Sequence, residues 1–166
     1  MKLFGGICLW AVLAGAAAAN PHGAPWGAAK PGAGQDCASC HFDYDPAVDS
    51  ELISLEGLPA RVSPGATYDL VLRLAPSDAA IAGFMVSASE GVFSGARDGI
   101  EANGREVRST APVPAEEGAS WRLKWTAPDD LAEEVFFYAA VNGANDDASP
   151  FGDIIHFRSF AVVAGQ

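Results

Sequence analysis

Cysteine is nearly absent from this sequence, and the few that occur are unevenly placed. Only three are present among 166 residues: Cys8, Cys37 and Cys40. So small a number excludes a fold that is held together by a network of disulfides. Cys8 lies in an apolar run near the N-terminus, whereas Cys37 and Cys40 belong to the motif CASCH, residues 37–41. The cysteine chemistry of the chain is therefore concentrated in five positions.

Basic side chains are scarce as well. The chain has 10 Lys and Arg residues against 21 Asp and Glu residues, a formal net charge of −11 at pH 7. Proteins that bind nucleic acid neutralise its phosphates with Lys and Arg, and anionic lipid attracts basic segments. The charge balance thus argues against both partners. It is compatible with attraction towards a basic protein.

Long apolar runs are missing after the N-terminus. Residues 1–19 combine Lys2, an apolar run over residues 3–13 and small residues at 17–19, which is the pattern of a cleaved signal peptide. The run is too short to span a bilayer, and Cys8 would leave with it. We expect an exported bacterial protein, periplasmic or secreted, without a membrane span in the mature chain. The alternative is an uncleaved N-terminal anchor.

The remaining chain divides into an arm and a domain. Residues 20–36 are rich in Gly, Pro and Ala, and the CASCH motif and a short polar turn follow them. Residues 20–50 therefore predict an irregular arm that carries the motif. In residues 51–166, short apolar runs alternate with turn signals, and 67–75 and 121–128 alternate apolar and polar residues as half-buried strands do. About seven strands, with a helical turn near 77–81, predict an all-β fold, an antiparallel β-sandwich. The other predicted strands lie near 51–56, 82–93, 105–109, 134–143 and 153–163.

Four chemistries fit a cysteine pair followed by histidine. Structural zinc usually needs four ligands, and the sequence has no second cysteine pair. A thioredoxin-like dithiol expects a βαβ context, and a disulfide between Cys37 and Cys40 leaves His41 without a role. CxxCH is the attachment pattern of c-type haem, in which both thiols form thioethers and the histidine binds the iron. We therefore predict one covalent haem c on Cys37 and Cys40, with His41 as the proximal iron ligand.

The sixth position of the iron stays open between several candidates. His22 lies on the arm, His156 lies in a predicted strand, and Met85 lies in an apolar stretch where core packing is its ordinary role. An open position or an external ligand is a further alternative. The aromatic residues near the motif either cover the haem or pack the arm onto the sandwich. They are Trp26, Phe42 and Tyr44.

The loop over residues 142–153 is rich in side chains with oxygen atoms that calcium accepts. These side chains are Asn145, Asp146, Asp147 and Asp153. The loop lacks the spacing of an EF-hand, and Asn, Asp and Gly are common in any long hairpin loop. Calcium binding and ordinary loop chemistry therefore both remain open.

A series of short motifs runs through the domain. They are GLP at 57–59, PG at 64–65 followed by Tyr68, GF at 83–84, WTAP at 125–128, and NG at 142–143 leading to GD at 152–153. In this order, between Glu51 and Val163, they resemble the reelin-type domain, and especially its bacterial version, the choice-of-anchor V domain. The resemblance implies an immunoglobulin-like β-sandwich of exported or surface proteins. It implies no catalytic residues.

These features together predict an exported monohaem c-type cytochrome with a reelin-like β-sandwich. Its expected role is one-electron transfer to a redox partner protein, such as another cytochrome, as a carrier rather than as an enzyme. One alternative is an extracellular binding or interaction module whose haem is structural or absent. Another is haem-based sensing of a gas or peroxide, which requires an open iron position.

Overall fold

The structure is a computed structural model that describes residues 22–32, 34–95 and 99–165. The predicted signal peptide, residues 1–19, and Cys8 within it lie outside the described residues. Over the described ranges, no helix is long and apolar enough to cross a membrane. The described chain thus comprises the arm from His22 onward and the domain behind it.

The regular structure of the described ranges is almost entirely strand. The strands are β1 (Ile53–Glu56), β2 (Arg61–Val62), β3 (Thr67–Leu74), β4 (Ile81–Ala88), β5 (Val92–Ser94), β6 (Ile100–Asn103), β7 (Glu106–Ser109), β8 (Val113–Pro114), β9 (Ala119–Thr126), β10 (Glu134–Ala144) and β11 (Ile154–Ala164). One sheet has the order β1-β3-β9-β5. The other has the order β2-β11-β10-β4-β7-β6, and β8 also pairs with β4. All pairs are antiparallel except β2 with β11, which confirms the predicted antiparallel β-sandwich.

Strands β3 and β9 follow the predicted alternation. Leu70 pairs with Leu123, and Leu72 pairs with Trp121. All four side chains are buried, while the intervening residues of β9 are exposed. Because successive side chains of a strand point to opposite faces, this register places one apolar face of the four-stranded sheet against the core.

The two sheets meet around Trp125. Its ring stacks against Tyr68 of β3 at 5.9 Å between centroids and meets Phe137 of β10 edge-on at 5.0 Å. Trp125 and Phe137 are both fully buried. An aromatic contact between opposite sheets of this kind fills the space between two β-layers efficiently, so the core lies between β3-β9 and β4-β10.

Part of the outer face of the seven-stranded sheet is buried too, because the arm lies across it. On β4, Phe84 and Val86 face the core, while Met85 between them packs against Ala28 and Ala29 of the arm. Further along, residues 37–38 pack on a second patch of the same outer face. The described arm is irregular apart from a 3-10 helix at Cys37–Ser39 and a bridge from Ala47 to His156.

The strand count exceeds the predicted seven for two reasons. The stretch 82–93 is divided at Glu90 and Gly91, so that β4 and β5 belong to different sheets. Strands β2, β6 and β8 contain only two to four residues, too few for a periodic pattern. The helical turn predicted near 77–81 is wrong, because no helical turn occurs there and Ile81 already belongs to β4.

Candidate functional site

Arg108 of β7, the strand next to the edge strand β6, fastens the arm to the seven-stranded sheet. The guanidinium group of Arg108 lies 4.2 Å above the ring of Trp26 and donates a hydrogen bond to the carbonyl of Ala24. Gly23 has a φ of 101°, and a Cβ there would lie 2.3 Å from the Ser109 carbonyl oxygen. Only glycine fits such a close approach. Through its contact with Arg108, Trp26 therefore packs the arm onto the sandwich.

The CASCH motif forms one tight turn. The Asp36 carboxylate caps the 3-10 helix by accepting hydrogen bonds from the Ser39 backbone and hydroxyl, each at 3.0 Å. Burial opposes ionisation of Asp36, but the hydrogen bonds around it lower the pKa of its carboxyl group. The backbone N–H groups of Cys40 and His41 both donate to the Cys37 carbonyl. The turn thus holds the three predicted haem-binding residues next to one another.

Those three residues open onto a cavity of about 470 Å³. It lies between the arm, β4 and the loop that joins β10 to β11, and its walls are mostly apolar. Met85 and Ile155 contribute apolar surface, and Asn142 contributes an amide whose oxygen is buried without a hydrogen-bond partner among the described residues. A cavity of this size and character is typical of small-molecule and cofactor sites.

His41 is held by a buried carboxylate. Its Nδ1 atom lies 2.8 Å from Oδ2 of Asp153, a residue that is 2% exposed. The same oxygen accepts a hydrogen bond from the Asn142 amide at 3.1 Å. Because the carboxylate engages Nδ1, Nε2 is the ring nitrogen that this contact leaves available. Histidines that bind metals are oriented by such partners.

The sequence interpretation missed this role of Asp153, for which it left calcium binding and ordinary loop chemistry open. In the loop, Asn145 and Asp147 instead bond to each other and to neighbouring backbone groups. Within the ranges described, no group of three or more His, Cys, Asp or Glu side chains is arranged to hold a metal ion. No sequence signal indicated this role, because the partner of Asp153, His41, lies 112 residues away.

The two cysteines differ in environment and are not joined to each other. Cys40 is exposed, whereas Cys37 is largely covered and its thiol donates to the Ala28 carbonyl at 3.4 Å. Burial, with the nearby Asp36 and Cys40 adding to it, raises the pKa of the Cys37 thiol to about 12. Redox-active dithiols need a lowered thiol pKa. The arrangement therefore opposes thioredoxin-like chemistry.

The candidates for the sixth iron position differ in where they lie relative to the cavity. Met85 is fully buried and lines the cavity, and His22 directly precedes the cavity residue Gly23. His156 lies on the opposite side of the seven-stranded sheet, because Ile155 faces the arm and the next side chain points the other way. Its Nδ1 atom lies 3.0 Å from the Ser50 hydroxyl. This placement removes His156 from the candidates.

Phe42 and Tyr44 do not cover the cavity. They are 58% and 55% exposed, and neither belongs to the cavity wall among the described residues. Phe42 meets Phe151 of the β10–β11 loop edge-on at 5.7 Å. Phe42 thus packs the arm onto the sandwich, one of the two expected roles, although most of its ring stays exposed. Tyr44, two residues further on, is also exposed.

No protein-family model and no curated protein matches the chain. Among solved structures, it is similar to the reelin-N domain of F-spondin, with a TM-score of 0.54 and 18% identity over 74% of this chain and 91% of that one. The human F-spondin reeler domain gives a TM-score of 0.55 and 16% identity over 74% of this chain and 95% of that one. At these identities the likeness concerns the fold. The domain is a reelin-like β-sandwich, preceded by an arm that presents a CxxCH turn to a cavity.

Proposed function

We propose that this chain is an exported monohaem c-type cytochrome that carries one electron at a time. Cys37 and Cys40 would hold the haem as thioethers, and Nε2 of His41 would be its proximal ligand. The observation that supports this most is the contact of His41 with Asp153, because it orients a CxxCH histidine that lines the same cavity as both cysteines.

The residues around the cavity fit a flat apolar cofactor. The volume is about 470 Å³ and the walls from β4 and β11 are apolar, so they would keep water from the cofactor face that they cover. When bound, haem supplies one-electron exchange at its iron. The chain contributes the attachment thiols, the oriented imidazole and a rigid sheet behind them.

Met85 and His22 are the proposed choices for the second axial ligand. Met85 extends from β4, a strand held on both sides by β10 and β7, so a bond from Met85 would come from the rigid sheet. A bond from His22 would come from the arm, next to Gly23. Separate substitution of each residue distinguishes the two.

The direct test is expression of the full chain in a bacterium that has c-type haem maturation machinery, followed by a pyridine haemochrome spectrum of the purified protein. We expect a c-type band in the wild type and its loss in the double variant Cys37→Ala, Cys40→Ala. Ser39→Ala is the matched control, since it changes a residue between the two cysteines without removing a thiol, and it should keep the band. A c-type band that survives the double substitution would refute attachment at Cys37 and Cys40.

A second candidate function is an extracellular interaction module whose haem is structural or absent. The reelin-like sandwich favours it, since the fold implies no catalytic group. Circular dichroism and urea unfolding discriminate the two. A wild-type protein that folds as a β-sandwich but carries no covalent haem after maturation would favour the interaction module.

A further inference from the structure

Exposed apolar side chains are concentrated beside the CASCH turn. The described residues contain eight large hydrophobic side chains that are exposed, and five of them belong to residues 42–48 and 151–154. These five are Phe42, Tyr44, Val48, Phe151 and Ile154. Scattered single residues of this type are common on protein surfaces, but a contiguous group indicates an interaction site.

The two segments form one continuous surface. Phe42 meets Phe151 at 5.7 Å, and the Gly152 backbone donates to the Asp43 carboxylate at 3.1 Å. Further along, the Ala47 backbone donates to the Ile155 carbonyl at 2.8 Å. Because His41 precedes Phe42 directly and residues 146–150 line the cavity, the surface lies immediately beside the proposed haem.

The charge around this surface has one sign. The sequence has no Lys or Arg between residues 31 and 60 or between residues 125 and 157. Exposed carboxylates accompany the apolar side chains, and they are Asp43, Asp45, Asp49, Asp146 and Asp147. The nearest cation along the chain, Arg158, donates to the carbonyls of Ser50 and Ile53. Both of these hydrogen bonds go to backbone oxygens and not to the carboxylates of the surface.

We propose that this apolar surface with its acidic rim docks the electron-transfer partner, and that the partner is a protein with a basic face. An apolar centre inside a charged rim is the arrangement of transient protein interfaces, and complementary charge accelerates such encounters. A second copy of this chain would bring like charges together, and an anionic membrane would be repelled. The inference rests on the proposed function, since it places the partner next to the haem.

The test uses mitochondrial cytochrome c as a basic haem-protein probe and measures its affinity for the mature holoprotein by surface plasmon resonance. We expect Kd to rise about tenfold between about 20 mM and about 200 mM salt, because screening shortens the range of the attraction. The double variant Asp45→Asn, Asp146→Asn should weaken binding about 3- to 10-fold at the lower salt. Asparagine suits position 146, where φ is 63°. Tyr44→Ser should weaken binding at both salt concentrations.

The matched control is Asp130→Asn, Glu133→Gln, which removes two exposed charges at the far end of β10. That strand has 11 residues, so the control lies roughly 30 Å from the proposed surface. It should change Kd less than twofold. Equal losses in both double variants, or no loss in the first, would overturn the docking surface.

Haem attachment and binding at the surface are measured in separate experiments. An absorption spectrum reports haem attachment, whereas plasmon resonance reports binding whether or not haem is present. A chain that stays haem-free after maturation but binds site-specifically would contradict the proposed function and support the surface. A chain that carries haem but shows no site-specific binding would contradict the docking surface and leave the proposed function unaffected. Self-association through this surface, detected by light scattering and lost with Tyr44→Ser, would also overturn the choice of a basic partner.

Discussion

Nδ1 of His41 lies 2.8 Å from Oδ2 of Asp153, and this contact joins the arm to the loop between β10 and β11. The carboxylate is buried at 2% exposure and also accepts a hydrogen bond from Asn142 of β10. The histidine is therefore oriented by the sandwich and not only by its own turn. A carboxylate partner increases the electron donation of a ligating imidazole.

The variant Asp153→Asn tests this contact. It keeps the shape of the side chain but removes the negative charge beside the proximal histidine, so the ferric form of a bound haem should lose stabilisation. We expect the reduction potential to rise by roughly 60 mV, a tenfold change for a one-electron couple. Spectroelectrochemical titration measures it. Asp146→Asn, in the same loop but exposed, should give a smaller shift, and equal shifts would contradict a specific role for Asp153.

The thiols of the haem-free chain should differ in reactivity. Cys37 is covered and its thiol has a pKa of about 12, so at pH 8 only about one in ten thousand molecules carries the Cys37 thiolate. Cys40 is exposed. Alkylation with iodoacetamide, followed by mass spectrometry, should label Cys40 more than tenfold faster than Cys37. Equal rates would show that the arm does not cover Cys37.

The distal ligand can be identified with two single variants of the holoprotein. Met85→Leu conserves volume in the fully buried site, and His22→Ala removes the arm histidine. Low-temperature EPR of the ferric protein should change in only one of them, because it reports the axial ligands directly. His156→Gln should leave the signal unchanged, since His156 lies across the sheet. A change with His156→Gln would contradict its placement.

The buried His156 predicts a pH dependence of stability. Burial lowers the pKa of the folded-state imidazole below its usual value of about 6.5. The unfolded chain therefore binds the proton more readily, and the stability present above about pH 6.5 falls as pH decreases towards the lowered pKa. Urea unfolding at pH 7.5 and pH 5 should show a smaller loss in His156→Gln than in the wild type. Equal losses would exclude a contribution from His156.

The centre of the sandwich gives a stability prediction. Phe137 is fully buried against Trp125, so Phe137→Ala should lower the free energy of unfolding by about 3–5 kcal/mol. Its neighbour Phe136 is 37% exposed, and Phe136→Ala should cost about 1 kcal/mol or less. Urea denaturation measures both. Similar losses for the two variants would contradict the assigned faces of β10.

The long strands could be predicted from the sequence because their burial is periodic. In β9, Trp121, Leu123 and Trp125 are buried while the residues between them are exposed, and the sequence carries the same alternation. Strand β4 was harder to delimit, since the arm covers its outer face and Met85 is buried with its neighbours. The short strand β8 has no periodic signal and exists only through pairing with β4.

The candidate site could be predicted only as far as it is local in sequence. Cys37, Cys40 and His41 form one turn, and their spacing is a motif. The partner of His41 is 112 residues away, and no spacing rule connects the two. Whether His156 faces the cavity depends on which side of β11 the arm covers. The alternation of residues within one strand does not reveal that side.

The central claim is that one haem is attached at the CASCH turn, and peptide mass spectrometry tests it most directly. Protein matured in the presence of haem machinery is digested with trypsin, and the peptide that ends at Arg61 is examined. We expect this peptide to carry the mass of one haem that acid–acetone extraction does not remove, and we expect Cys37→Ala, Cys40→Ala to abolish it. A peptide of unmodified mass from correctly matured wild-type protein would contradict haem attachment at this turn.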